Sequence, residues 1–331
     1  MITTFHWAEV NGLRIFYREA GPRDAPSIVL LHGYPSSSRM WAPLLPLLSD
    51  RYHVIAPDYP GFGHSDAPAP AAYAYTFDHF AETIEGLLRT LGVDRYTLVM
   101  QDYGGPVGFR LALRNSDKVS AIIVQNANAY AEGLGPKWAG IARYWGDRAA
   151  HAEELDRFTS LEGARQRHIG NSPNVERYDP DSWTDEYAML SRPGQRAIQA
   201  DLLYDYRTNL ASYPAWQAWL RDHRPATLVL WGRYDPSFIV PGAVAFARDV
   251  PDAEIHLLDA GHFALDEEAG LVGKLMLDFL DRRLARSPWT RIRARSRLPR
   301  SARRLRQGAK SSPHARRRRS GRRGAPWRGR P

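Results

Sequence analysis

The stretch Val99-Met100-Gln101-Asp102-Tyr103-Gly104-Gly105 joins a run of aliphatic and β-branched residues to one of helical spacing. Tyr96 to Met100 reads as a short buried strand and Pro106 to Arg114 as a helix, so Asp102 occupies the turn between them. A side chain at such a turn stands above the carboxyl edge of a parallel sheet, where α/β proteins take their ligands. The turn is tight, and Gly104 and Gly105 supply the small neighbours it needs on the helix side. Met100, two residues before Asp102, is bulkier than a strand-side neighbour usually is at this kind of elbow. The helix that follows directs its N-terminus at Asp102 and favours negative charge there. An Asp in front of a helix is most often only an N-cap, so its meaning depends on the rest of the chain.

Outward from this turn the same alternation repeats. Phe5 to Val10 and Leu13 to Tyr17 flank Asn11-Gly12, a two-residue hairpin turn. Apolar runs at Ser27 to Leu31, His53 to Ala56, Val119 to Gln125, Thr227 to Trp231 and Glu254 to Leu258 resemble fully buried parallel strands. Helix-period segments at Phe77 to Leu91 and Glu267 to Leu284 lie between or after them. The order predicts an α/β fold with a doubly wound, mostly parallel sheet. It is interrupted once. From residue 129 to 224 no buried-strand run occurs while aromatic and charged residues recur at helical spacing, too long a stretch for a loop. The expected organisation is a core over 1–128, an inserted helical cap over 129–224, a second core segment over 225–285, and a tail over 286–331.

Composition bounds what the chain can be. Its 331 residues, 44% of them hydrophobic, are enough for a large buried core, and the absence of cysteine excludes a disulfide scaffold and thiolate chemistry. No apolar run is long enough to span a bilayer and the N-terminus lacks a basic, apolar leader, which leads to an expectation of a cytoplasmic protein. The formal charge of +9 is deceptive. From Arg286 onward there are 18 of the 45 Lys and Arg and no Asp or Glu, leaving 27 bases against 36 acids in the rest, a net −9. The tail, with Arg316 to Arg319 in succession, is expected to be disordered; it reads either as a weak polyanion-binding segment or as a solvated extension.

Three further motifs lie just past strands. His32-Gly33-Tyr34-Pro35 follows the third, where the backbone N–H of Tyr34 can converge with that of Tyr103 on one oxygen. Asp235, in Trp231-Gly232-Arg233-Tyr234-Asp235-Pro236, follows the seventh strand, and His262, in Ala260-Gly261-His262-Phe263, follows the last. The chain order is nucleophile, acid, histidine. In Ala56 to Asp66, Asp58 and His64 read as loop-fixing residues, and His32 as a structural hydrogen-bonding one.

With these motifs in place, residues 1 to 285 resemble the α/β-hydrolase fold, in the branch of epoxide hydrolases and haloalkane dehalogenases. The resemblance implies Asp102 as nucleophile, His262 as base, Asp235 as its partner, and Tyr34 and Tyr103 as backbone oxyanion donors. It implies no cofactor and no metal, and as partners only a small apolar electrophile and water, with no membrane. Dehalogenases of this branch usually place Trp after the nucleophile and often Asn or Glu in the third position of the His-Gly-x-Pro motif. Here those positions are Tyr103 and Tyr34, so epoxide opening fits better. Epoxide hydrolases also use two cap tyrosines to protonate the ring; Tyr206 resembles the second, and Tyr144 is the candidate for the first. A dehalogenase-like hydrolase and a non-catalytic, ligand-binding member of the fold stay open as alternatives.

Overall fold

The chain is described by a computed structural model over residues 1–284; the Arg-rich segment expected to be a disordered tail, 286–331, lies outside the described residues. Eight strands form one sheet: β1 (Thr4–Val10), β2 (Leu13–Ala20), β3 (Ser27–Leu31), β4 (His53–Pro57), β5 (Tyr96–Gln101), β6 (Val119–Gln125), β7 (Thr227–Gly232) and β8 (Glu254–Leu258). Their order is β1-β2-β4-β3-β5-β6-β7-β8, with β2 antiparallel to both neighbours and every pair from β4 onward parallel. Asn11 and Gly12 take φ of 53° and 81°, as the two-residue hairpin turn requires.

The fold class agrees with the sequence, and two strands differ in detail. β2 runs on to Ala20 instead of ending at Tyr17, because Tyr17 to Ala20 pair with Pro57 to Val54 of β4 and so tie the hairpin to the parallel sheet. β8, expected to be fully buried, is only half so, since it closes the sheet edge and pairs with β7 alone. The central strands β3, β5, β6 and β7 carry most of the apolar core, which is why their sequences lack alternation. The helix Phe77–Thr90 starts at Thr76, whose hydroxyl accepts the His79 N–H at 3.2 Å. The last helix, Leu265–Leu284, is kinked at Glu268.

Between β6 and β7 the chain forms six helices: Trp138–Gly146, Ala152–Phe158, Leu161–Ile169, Pro180–Leu190, Gln195–Asp205 and Arg207–His223. Among the described residues no helix is long and apolar enough to cross a membrane. One buried cluster ties this insertion to the core. His168 lies between Glu186 of a neighbouring inserted helix, at 2.9 Å, and Asp266 of the last helix, at 2.6 Å. Burial would lower the His168 pKa, but the two carboxylates prevail and raise it to about 10.

Because the folded-state pKa lies above the ordinary 6.5, the cluster stabilises fully below that value and its contribution is lost as pH rises through about 10. Thermal melts of the wild type and His168→Gln are therefore expected to differ by roughly several degrees at pH 6 and to converge by pH 10.5. A gap that stays constant across that range would show that the imidazolium charge contributes nothing to the link.

Candidate active site

Asp102, just past β5, takes a left-handed conformation, φ 47°, one of four non-glycine residues with positive φ among the described residues. Its backbone is locked on both sides: its N–H donates to Asn126 O at 3.3 Å and its carbonyl accepts from Gly105 N–H at 2.9 Å. Space around the turn is made by glycine. A Cβ on Gly33 would lie 2.5 Å from Asp102 Cβ, and one on Gly104 would lie 2.1 Å from Leu31 O. The unexpected bulk of Met100 is absorbed from the other side, since a Cβ on Gly108 would come within 2.3 Å of the Met100 sulfur. The strand side of the elbow carries the large residue and the helix side the small one.

The residues singled out by the sequence converge. Asp102 Oδ1 accepts the Tyr34 N–H at 2.8 Å, and its Oδ2 lies 3.5 Å from His262 Nε2. His262 Nδ1 lies 2.7 Å from Asp235 Oδ2. Asp235 is fixed in turn by the Ser237 N–H at 2.6 Å and the Asn126 amide at 2.9 Å. The Tyr103 amide, the second expected donor, makes no hydrogen bond to the Asp102 carboxylate among the described residues. Burial works against both charges of the His262–Asp235 pair, but mutual attraction overrides it: His262 is raised to about 9, with Asp102 contributing, and Asp235 is lowered.

Around this group the insertion closes a cavity of about 20 Å³, room for about one water. Asp102, His262, Tyr34 and Tyr103 form its floor, and Trp138, Ile141, Leu203 and Tyr206 part of its roof. The Tyr103 and Tyr206 hydroxyls are both buried and close no protein hydrogen bond of normal geometry; the Tyr213 hydroxyl lies beside that of Tyr206. Tyr144 is not at this cavity: its hydroxyl meets Ala200 O and the Arg148 guanidinium. His32 and Asp58 hold loops, as expected. The His32 Nδ1 lies 2.9 Å from Gly33 O while its Nε2 accepts the Tyr59 N–H, and the Asp58 carboxylate accepts the Ser38 and His64 N–H groups.

Four residues at the site escaped the sequence reading. Asn126, φ 43°, bridges Asp235 to the Gly232 backbone, donating to Gly232 O and accepting its N–H. The Gln101 amide lies 3.1 Å from His262 Nε2. Lys137 and Arg167 complete the cavity wall. Asn126 alone left a signal, as the polar residue just past β6 where the preceding strand also ends in a functional side chain.

The family described as alpha/beta hydrolase fold matches residues 26–269. An uncharacterized hydrolase of Saccharomyces cerevisiae is 41% identical over 273 residues, 80% of this chain and 93% of its own length. A haloalkane dehalogenase of Psychrobacter cryohalolentis is 39% identical over 120 residues, 36% of this chain and 39% of that one. The solved structure of the epoxide hydrolase CorEH superimposes with a TM-score of 0.70 at 20% identity, over 84% of this chain and 99% of that one, a likeness of fold.

The hydrogen bonds of Asn126 make it the brace of Asp235. Asn126→Ala leaves the Gly232 N–H unpaired in the interior and takes one donor from Asp235, and the new residue must keep a positive φ without a side chain that compensates. The expected cost is about 2 to 4 kcal/mol in urea unfolding. A loss below about 0.5 kcal/mol would remove Asn126 from that role.

Proposed function

The chain belongs to the alpha/beta hydrolase fold family, and we propose that within it the protein is a cofactor-independent hydrolase of epoxides, working through an ester on Asp102. The observation that carries this reading is the shared cavity. A carboxylate gripped by one backbone N–H and facing a histidine lies with two tyrosine hydroxyls that lack ordinary partners.

A serine must lose a proton before attack and suits substrates that bring their own carbonyl. Asp is already anionic and can displace a leaving group at saturated carbon. With Oδ1 engaged by Tyr34, Oδ2 is the attacking oxygen. It forms a bond to one ring carbon as the ring C–O bond breaks, and the ring oxygen takes the Tyr206 proton. Water then adds to Asp102 Cγ and gives a proton to neutral His262, whose tautomer is set by Asp235. The oxyanion falls to the Tyr34 and Tyr103 amides. Collapse breaks the Cγ–Oδ2 bond, the departing oxygen takes the proton from His262, and the proton left on the Asp102 carboxyl returns to the Tyr206 phenolate. Epoxide and water become diol, and Asp102 retains an oxygen from water.

Tyr103 is well placed as the second hydroxyl at the ring oxygen, a part that Tyr144 cannot take from its position. The neighbouring dehalogenase reading draws on the relative from Psychrobacter; the Asp102 step would be the same, with halide as leaving group.

Incubation of His262→Gln with pooled epoxides and haloalkanes should add to the intact mass that of an epoxide, mapping to Asp102. Single turnover of the wild type in ¹⁸O water should place the label in Asp102 before it reaches diol. Tyr206→Phe is expected to lower kcat by roughly 100-fold. An adduct from haloalkanes alone, with halide release, selects the dehalogenase; a folded His262→Gln that gains no mass from any member sinks the covalent mechanism.

A further inference from the structure

Two cations in the cavity wall have no part in that reaction. Arg167, on the inserted helix Leu161–Ile169, is 7% exposed. Its guanidinium lies 4.6 Å from the centres of both the Tyr34 and Phe158 rings, and its Nη2 donates to Phe158 O at 2.7 Å. Its Nη1 is buried without any partner. Lys137 exposes its residue at the surface, but its ammonium turns inward to the Ser237 hydroxyl. Neither side chain forms an ion pair among the described residues.

A buried guanidinium with an unmatched N–H is costly, and a second cation close by adds repulsion. Several other buried charges among the described residues are paired, as Arg110 is with Asp78 and Asn209, or His168 with its two carboxylates. At the cavity, Asp102 and Asp235 face three positive groups, His262, Lys137 and Arg167, so the enclosed site carries excess positive charge. Consistent with this, burial and the nearby Arg167 lower the Lys137 pKa to about 8, against the pull of Asp235 and Asp102. Lys137 and Arg167 also border a second hollow of about 580 Å³ on the outer side of the same wall.

We infer that the substrate carries a carboxylate, seated against Arg167 Nη1 and the Lys137 ammonium, with the electrophilic carbon one or two bonds away and next to Asp102. This rests on the aspartyl-ester reading and narrows it to short oxirane carboxylates. The carboxylate supplies the missing partner of Nη1 and cancels the excess charge. The chemistry is unchanged: Oδ2 attacks a ring carbon, the ring C–O bond breaks, and the substrate carboxylate takes part in neither step.

Glycidate and glycidamide differ in that charge and little else. The wild type is expected to hydrolyse glycidate with a kcat/KM at least 100-fold above that for glycidamide. Arg167→Met should cut the glycidate value by 10-fold to 100-fold, chiefly through KM, and leave glycidamide within about threefold; Arg167→Lys should restore part of the loss. Equal or better use of glycidamide by the wild type, or an Arg167→Met loss equal for both substrates, would overturn the inference. Binding separates it from the mechanism. Asp102→Asn cannot form the ester, yet glycidate should still raise its melting temperature, and the added Arg167→Met change should abolish that rise. No rise in folded Asp102→Asn counts against the anion seat. A rise there, with no ester trapped in His262→Gln, upholds the seat and sinks the covalent step.

Discussion

The left-handed backbone at Asp102 is the constraint on which the site depends. An L-residue held there costs about 1 to 2 kcal/mol, and the chain offsets it with close packing that only small residues permit. Gly33 brings the loop after β3 against Asp102, Gly104 lets the following helix pass over Leu31, and Gly108 yields the space that Met100 fills. The Tyr34 N–H can then reach Oδ1 at 2.8 Å, because the strand end and the loop approach each other at a glycine. A Cβ at any of these three glycines would push apart the elements that meet there. Strain and glycine together aim the carboxylate out of the sheet and into the cavity.

A second turn of the same kind supports the first. Asn126 lies just past β6 as Asp102 lies just past β5, again with positive φ, and each strand end is bonded to the other through Asp102 N–H and Asn126 O. Asn126 then passes the constraint to β7, through Gly232 and Asp235. His262 is thus positioned from three adjacent strands, and no inserted helix is needed to hold its imidazole.

These relations explain how far the sequence could be read. The strands and their mostly parallel arrangement were legible because β3, β5, β6 and β7 are buried on both faces and consist of almost unbroken apolar runs. The residues of the sheet-borne site were legible because each follows such a run. β8 misled because at the sheet edge Ile255 is only half-buried and Leu257 is exposed, and the edge is invisible without the pairing order. The inserted helices gave no comparable register. Trp138, Tyr144 and Trp145 lie within one helix of nine residues, so aromatic character surrounds it and does not say which ring meets the cavity. Trp138 does, and Tyr144 faces Ala200 instead. Arg167 and Lys137 look in sequence like solvated charges. Only folding shows one buried beside a stacked pair of aromatic rings and the other turned inward.

The charges of the cavity also bear on why two steps can share one site. In the proposed reaction, ester formation discharges Asp102, which is one of the two carboxylates that hold His262 at about 9. The proton affinity of the imidazole therefore falls at the step where it must accept a proton from water. The same event takes from Lys137 one of the anions that stabilise its charge. When water adds to the ester, negative charge reappears on the oxygen facing the Tyr34 amide, beside the imidazolium that forms in the same step. Their attraction is greater for that oxyanion than for the ester before it, and it is this difference that lowers the barrier to the second step.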